Sequence, residues 1–434
     1  MKDNCYILGA GVTGLAAGIA TKWPIFETAD RAGGICASYY IRPGTTKRLA
    51  CFPPDEEAYR FEVGGGHWIF GADSATKTVL NKFSRMKAYR RASSIFFPDR
   101  KTSVPYPIQN NLRFFSKKII AKVLKEISGS GNQKNRTMKE WLVSNFGATL
   151  SSLFFYPFHD LYTAGLYDRI APQDSFKSPV DMGLIKKGAR TTNAPIGYNA
   201  NFLYPCEGLD FLIRRMAKEC RISYFKNVEG IDVEAREIYF SDKSTVKYKK
   251  LISTLSLDVM IGLTGLKPSV KADPHTSVLV MNIGAVKGKN CPKDHWLYVP
   301  ETSSGFHRVG LYSNVDASFL PKTFRKSGTR VGMYIERSYK AGQRPSKRAV
   351  EQYVNCVIKE LQSWEFIREV DVVDTTWVDV AYTWSWPQSQ WKTEALRLLR
   401  EKNIYQIGRY GAWKFQGIAE SVQQGLAARA FVDC

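Results

Sequence analysis

The stretch that most limits what this chain can become is residues 6–14, YILGAGVTG. The apolar run Tyr6-Ile7-Leu8 leads straight into Gly9-x-Gly11-x-x-Gly14 and then LAAGIA, an order that predicts strand, tight turn and helix. Each glycine has its own task in such a unit. The first permits the turn, the second lets a pyrophosphate reach the backbone, and the third lets the helix pack close to the strand. The helix N-terminus then presents free N–H groups and a positive dipole end to phosphate. A second apolar run, Trp23 to Phe26, ends at Glu27, 18 residues after Gly9, where an acid can bind a ribose hydroxyl pair.

Residues 27–34, ETADRAGG, bear on which dinucleotide is bound. Flavoproteins of the two-dinucleotide-domain type carry Asp/Glu-x-x-x-Arg-x-Gly-Gly here, where the chain bends beside the flavin. Glu27, Arg31, Gly33 and Gly34 match that spacing. Gly-Gly alone is a common turn signal. Placed after the first glycine motif, it favours FAD over a nicotinamide nucleotide.

At 434 residues the chain exceeds the usual size of one core, so two or three domains are expected. No apolar run is long enough to span a membrane. The first strand begins within five residues of Met1, leaving no room for a cleavable signal peptide, so a cytoplasmic location is expected. Eight cysteines are scattered without any C-x-x-C pair, and no His/Cys cluster has metal-ligand spacing, so neither a disulfide nor a metal is expected. Sixty-two Lys and Arg against 40 Asp and Glu give a net charge of +22. Such a surface concentrates anionic substrates, nucleic acid or anionic lipid without choosing among them. No nucleic-acid recognition motif accompanies it.

Along the chain, residues 28–75 are rich in turns and contain Gly64-Gly65-Gly66-His67. Residues 93–106 read as two short strands around Pro98-Asp99-Arg100. Residues 111–127 carry apolar side chains at helical spacing with Lys117, Lys118, Lys122 and Lys125 between them. Thr137-x-x-Glu140 is a capping box that opens a helix to about Phe146. A helix is expected over 208–220 and strands over 221–240 and 247–253. Residues 275–385 alternate in the manner of strands, interrupted by a helix from Lys347 to Trp364. A strand at 404–408 and a helix from Ala419 to Phe431 close the chain, and 128–136 is the only linker-like stretch.

Several further segments, in this order, carry a resemblance. They are Gly65-Gly66-His67-Trp68-Ile69-Phe70, Pro105-Tyr106-Pro107-Ile108-Gln109-Asn110-Asn111, Tyr248 to Thr254, Trp296-Leu297-Tyr298-Val299-Pro300, Arg308 with Tyr312-Ser313-Asn314, and Gly408 to Lys414. With the glycine motifs they make the chain resemble the UDP-galactopyranose mutase family, within the flavin-containing amine oxidase and protoporphyrinogen oxidase superfamily. The resemblance implies an α/β fold, α+β overall. A discontinuous Rossmann-like FAD-binding domain (1–75, 200–260 and 400–434) would be joined by an antiparallel-sheet substrate domain (90–110 and 270–390) and a mainly helical insertion (111–190). It implies an isomerase that interconverts nucleotide-linked galactopyranose and galactofuranose for cell-surface glycans. There N5 of reduced FAD attacks the anomeric carbon while UDP departs, and a nicotinamide nucleotide is one source of the reducing equivalents.

The resemblance places His67 and Arg308 at the centre of the chemistry. Gly9, Gly11, Gly14, Glu27, Arg31, Gly33, Gly34, Gly66, Gly408 and Arg409 would meet the cofactor. Tyr106, Gln109, His159, Asn199, Tyr298 and Trp386 would meet a UDP-sugar or another nucleotide sugar. The match has departures. Trp386 and Phe415 stand where tyrosines are expected, and Ala419 and His159 where asparagines are. A second arginine for the diphosphate is not evident, with Lys177, Lys186, Lys187 and Arg190 as candidates. The alternative activity is net oxidation of an amine or an apolar substrate, for which the aromatic stretch 153–167 would suit a tunnel. The basic helix over 111–127 could also rest on an anionic membrane as a peripheral contact. Oligomerisation stays open.

Overall fold

A computed structural model describes residues 4–128, 136–173, 180–192 and 200–432. Five short strands from distant parts of the chain form one parallel sheet, in the order Ile222–Ser223, Ile25–Phe26, Cys5–Leu8, Lys250–Ser253 and Ile404–Gln406. Cys5–Leu8 is paired on both edges and nearly all buried, as its apolar run requires. Helix Val12–Thr21 leaves its C-terminal end and packs against helix Ile418–Ala427. The two approach so closely that a Cβ at Gly425 would lie 2.4 Å from the Thr13 carbonyl oxygen. A small antiparallel sheet (Val228–Asp232, Glu237–Phe240, Thr245–Lys247) is inserted before Lys250.

The second layer is a seven-stranded sheet in the order Ile367–Thr383, His275–Lys287, Arg330–Lys340, Arg308–Leu311, Trp296–Tyr298, Ser93–Phe97 and Thr102–Pro105. All its pairs are antiparallel except Trp296–Tyr298 with Ser93–Phe97. One face is filled by Leu279, Met281, Ile283, Met333 and Ile335 under helix Lys347–Ser363, whose Tyr353, Val357 and Leu361 are buried. The opposite face, with Val278, Val280 and Tyr334, turns toward the parallel sheet. Period-two alternation of the strands thus separates a closed core from the wall of a cavity.

Residues 117–188 add helices Lys117–Ser128, Met138–Leu150, Tyr156–Tyr162 and Met182–Gly188. The capping box is formed, with Thr137 Oγ1 accepting the Glu140 N–H at 3.3 Å and Glu140 accepting the Thr137 N–H at 3.1 Å. Ser151–Phe155 makes a π-helical turn directly before Tyr156. Val123 and Ile127 bury the apolar stripe of Lys117–Ser128 against Met138, Leu142 and Phe146, so that stripe is not a free face. Each such burial contributes about 1.5–3 kcal/mol.

Local structure differs from the sequence reading in several places. The helix expected over 111–127 starts at Lys117, after a 3-10 turn at Leu112–Phe114. The strand expected to reach 408 stops at Gln406, because Gly408, at φ +84°, opens a helical turn. Helices Ser74–Phe83, Leu257–Thr264 and Trp391–Glu401 were not anticipated. Most of the linker-like stretch 128–136 lies outside the described residues.

Candidate functional site

The glycine turn sits at the C-terminal end of Cys5–Leu8. Gly9 has φ +91°, a conformation that side chains other than glycine's resist. A Cβ at Gly14 would lie 1.9 Å from the Gly9 carbonyl oxygen, so its absence lets the helix close onto the strand. A Cβ at Gly11 would meet nothing within 4 Å, because Gly11 faces open cavity. Gly11 is also the N-cap of Val12–Thr21 and no side chain caps it, leaving the first N–H groups to a ligand. Glu27 lines the same space. Its two carboxylate oxygens accept the Ala10 N–H at 2.7 Å and the Ala29 N–H at 2.9 Å, which fixes the group at the end of its strand. The Gly33 N–H bonds the Ala10 carbonyl at 2.9 Å and brings the second glycine pair against the first. From the far end of the chain, Gly417 caps helix Ile418–Ala427 at the cavity edge. Arg409 is held there by the Gln416 and Ala381 carbonyls at 2.9 and 3.0 Å and lies 4.6 Å over Phe415. Two helix N-termini, a fixed acid and an open glycine floor fit an extended dinucleotide.

The cavity, about 510 Å³, continues past this cradle under the seven-stranded sheet. Gly64 lies against His67 and Ile35, Gly65 on Glu336 and Tyr334, and Gly66 on Tyr334, with room for no Cβ at Gly66, where it would be 2.1 Å from the Tyr334 hydroxyl. His67 follows. Its Nδ1 donates to the Gly65 carbonyl at 3.2 Å, since a carbonyl can only accept, and Nε2 keeps its lone pair. Burial holds the His67 imidazole neutral by lowering its pKa, against the opposing bond to Gly65. Arg308 projects from the next wall, about a fifth exposed, with its guanidinium 5.5 Å from the Tyr298 ring. Its Nη1 is 3.3 Å from Oε2 of buried Glu336. Burial alone would raise the Glu336 carboxyl, but Arg308 and then His307 hold it down at about 2. The Tyr382 hydroxyl donates to the same carboxylate at 3.3 Å. Burial raises the Tyr334 and Tyr382 hydroxyls far above the usual phenol range, so both stay protonated donors. Aromatic rings complete the wall: Tyr106 lies 4.8 Å from Tyr298, Tyr162 lies 4.6 Å from Tyr382, and Phe158 and Trp384 stand beside them.

No family model matches the sequence. A solved structure of reduced UDP-galactopyranose mutase superposes with a TM-score of 0.83 at 22% identity, covering 99% of this chain and 95% of that one. The chain shares the fold of UDP-galactopyranose mutase. The same fold extends to a protein from Exiguobacterium sp. 255-15 named for protoporphyrinogen oxidase, at TM-score 0.72 and 12% identity over 100% of this chain and 99% of that one. It extends also to cyclohexylamine oxidase from Brevibacterium oxydans IH-35A, at 0.62 and 11% over 99% and 98%.

Of the residues the mutase resemblance singled out, His67, Arg308, Gly9, Gly11, Glu27, Gly33, Gly34, Gly66, Gly408, Arg409, Tyr106, His159 and Tyr298 line this one cavity. Others stand elsewhere. Gly14 lies under the turn, in the helix–strand contact. Arg31 faces solvent and pairs with neighbouring Asp30 at 2.9 Å. Gln109 is fully buried behind the wall. Trp386 is turned outward: its indole N–H donates to the Ala272 carbonyl at 2.9 Å, and the Lys271 ammonium sits 4.8 Å from the ring. The strand ends at Thr383, so alternation no longer governs Trp386, and Trp384 takes the cavity position. Asn199 and Lys177 lie outside the described residues. Lys186, Lys187 and Arg190 are exposed and do not line the cavity. Glu336, Tyr334 and Tyr382 were missed. For Tyr334 and Glu336 the signal is a tyrosine and an acid two apart in RVGMYIER, which alternation puts on one face; Tyr382, on the separate strand Ile367–Thr383, carries no such mark.

Proposed function

We propose that this chain is an FAD-dependent enzyme of the nucleotide-sugar mutase type, interconverting the pyranose and furanose forms of a UDP-linked hexose. The observation that carries the reading is one cavity that joins a dinucleotide cradle to Arg308 and its surrounding tyrosines, within a fold shared end to end with the mutase. The N-termini at Gly11 and Gly417 would hold the cofactor pyrophosphate, Glu27 the adenosine ribose, and the Gly66–His67 loop the flavin edge. FAD, when bound and reduced, supplies a nucleophilic ring nitrogen for the anomeric carbon.

The protein's own part is positioning and charge. Arg308 would grip the diphosphate, whose negative charge grows as the anomeric bond breaks. Glu336, 3.3 Å from its Nη1, would hold the guanidinium at the cavity wall. Tyr298, its ring 5.5 Å from the Arg308 guanidinium, would add a hydroxyl donor. The aromatic wall excludes water from the opened sugar. His67 stays neutral and acts by fixing its loop.

The test is isomer exchange of UDP-galactose, followed by chromatography with the flavin oxidised and then reduced by dithionite. Exchange only after reduction, with no net consumption of reductant, is the expected result. Exchange of equal rate with strictly oxidised flavin, or no UDP binding in either state, would sink the mutase reading. A second reading, net oxidation of an amine or apolar substrate, is favoured by the ring-lined wall and by Glu336 already neutralising Arg308. Oxygen uptake in proportion to product identifies that case.

A further inference from the structure

The helical insertion carries a feature that the cavity chemistry does not use. On helix Lys117–Ser128, Lys117, Lys118, Lys122 and Lys125 are all exposed and fall within about 140° of the helix circumference. The apolar residues Val123 and Ile127 occupy the opposite side and are buried. The turn Leu112–Phe114 leads into this helix, and both touch helix Met182–Gly188. That neighbour adds exposed Lys186 and Lys187, and Arg190 follows it, while Arg113 is exposed on the turn. Eight exposed cations therefore lie on these adjoining elements of the insertion. Among the described residues only Lys122 has a carboxylate within ion-pair reach, Glu126 at 3.9 Å. Glu126 is occupied elsewhere, accepting the Thr149 N–H at 2.7 Å and hydroxyl at 2.8 Å. Two apolar side chains are also exposed: Phe114, 5.7 Å from the Arg113 guanidinium, by 41%, and Val180, just before helix Met182–Gly188, by 40%.

We infer that this face docks the protein on an anionic lipid bilayer. Clusters of four to eight Lys and Arg on one face of an amphipathic helix match the charge density of anionic headgroups. Exposed apolar side chains at the rim supply the shallow insertion that electrostatics alone lacks. Six of the eight cations are lysines, compact hydrated charges suited to a diffuse anionic plane rather than to planar bidentate recognition. Helix Met182–Gly188 also packs on Ile108–Asn110, just after Tyr106 of the cavity wall, so a docked bilayer would lie close to the substrate side. Docking on a bilayer stands independently of which reaction the cavity performs.

The experiment is co-sedimentation of the full-length, flavin-loaded protein with vesicles of phosphatidylcholine alone or with about one-third phosphatidylglycerol. Binding is expected only to the anionic vesicles and should fall steeply as ionic strength rises from about 0.05 M to about 0.5 M. Reversing three charges, Lys117→Glu, Lys118→Glu and Lys122→Glu, should weaken binding about 100-fold. The pair Lys186→Glu and Lys187→Glu, on a separate helix, should weaken it about 10- to 30-fold, and Phe114→Ser should lower the salt-resistant fraction. Thermal melting and flavin content check that each variant is folded. Equal binding to both vesicles, or anionic binding that both sets of folded charge reversals leave unchanged, overturns the inference. So does tighter binding to single-stranded DNA than to anionic vesicles through the same lysines.

Discussion

Arg308 and Glu336 are direct cross-strand partners, and the Arg308 guanidinium reaches the Glu336 carboxylate at 3.3 Å inside the cavity wall. The next pairing downstream on the same strands, Val309 with Ile335, points into the closed core, so the ion pair is confined to the cavity side. Strand register, not loop geometry, sets the direction of the guanidinium. A loop-borne arginine would have to be ordered by its ligand, whereas this one is aimed before any ligand arrives.

Removing the acid tests this coupling. Glu336→Gln leaves a mostly buried guanidinium without its counter-charge and should cost about 3 kcal/mol at neutral pH, the lower end of the usual range because Arg308 opens partly to the cavity. The pH dependence has a definite sign. Glu336 is held at about 2 in the folded protein, below its ordinary 4.5. Its contribution is therefore complete above about 4.5 and is lost as pH falls toward 2. Thermal melts of wild type and variant should differ most near pH 7, narrow progressively below about pH 4.5 and converge only as pH approaches 2. A gap that stays constant across this window would refute the assignment.

Two glycines of one motif should fail in different ways. Gly11→Val places its side chain in open cavity, so the protein should fold with near-normal melting temperature yet retain no flavin. Gly14→Ala drives a Cβ to 1.9 Å from the Gly9 carbonyl, and should destabilise the flavin-free protein by about 1–3 kcal/mol. Flavin absorbance after gel filtration and calorimetry of the apoprotein separate the two.

The substrate side has a matched contrast. Arg308→Ala should weaken UDP binding about 30- to 1000-fold, equivalent to about 2–4 kcal/mol. Arg308→Lys should recover little, because an ammonium lacks the planar fork that Glu336 positions. Trp386→Phe, outside the wall, should leave UDP affinity within about twofold. Isothermal titration against reduced protein reads all three. A large effect at Trp386 would require a rearranged cavity.

A second buried acid gives a stability signal of opposite slope. Glu62 is fully buried and accepts from the Ser38 and Tyr204 hydroxyls. Burial pushes its carboxyl up to about 8, against lowering by Tyr204 and Arg60. Being raised in the folded state, it contributes fully below about 4.5, and the contribution is lost as pH climbs through 8. Wild type should therefore lose stability relative to Glu62→Gln between pH 5 and 8, at up to about 1.4 kcal/mol per pH unit. Denaturant midpoints of the two proteins across that range provide the comparison.

The glycine turn with Glu27 and the capping box at Thr137 were legible because each rests on local backbone needs that a few adjacent residues declare. The alternating run from 275 showed its strands for the same reason. Glu336 was not legible as a site residue, since its importance comes from a partner 28 positions away in the chain that only pairing brings opposite. Trp386 was named in place of Trp384, because the strand ends just before both, at Thr383, and the Trp386 N–H turns to Asp273 at 2.9 Å. Helix Ser74–Phe83 escaped notice because only Thr76 and Leu80 are buried, too few to mark a stripe.

The contact between helices Val12–Thr21 and Ile418–Ala427 also sets an order in time. A ribosome releases the glycine turn first and its covering helix about 400 residues later, a delay of roughly 20 to 80 s at ordinary elongation rates. Until then the apolar flank of the first helix has no mate, and the strand Lys250–Ser253 lacks its neighbour at Ile404–Gln406. Nascent chains of this protein should therefore expose that flank throughout synthesis. A dinucleotide bound at the glycine turn would therefore be acquired only after translation, and no fragment ending before Ile404 should retain flavin.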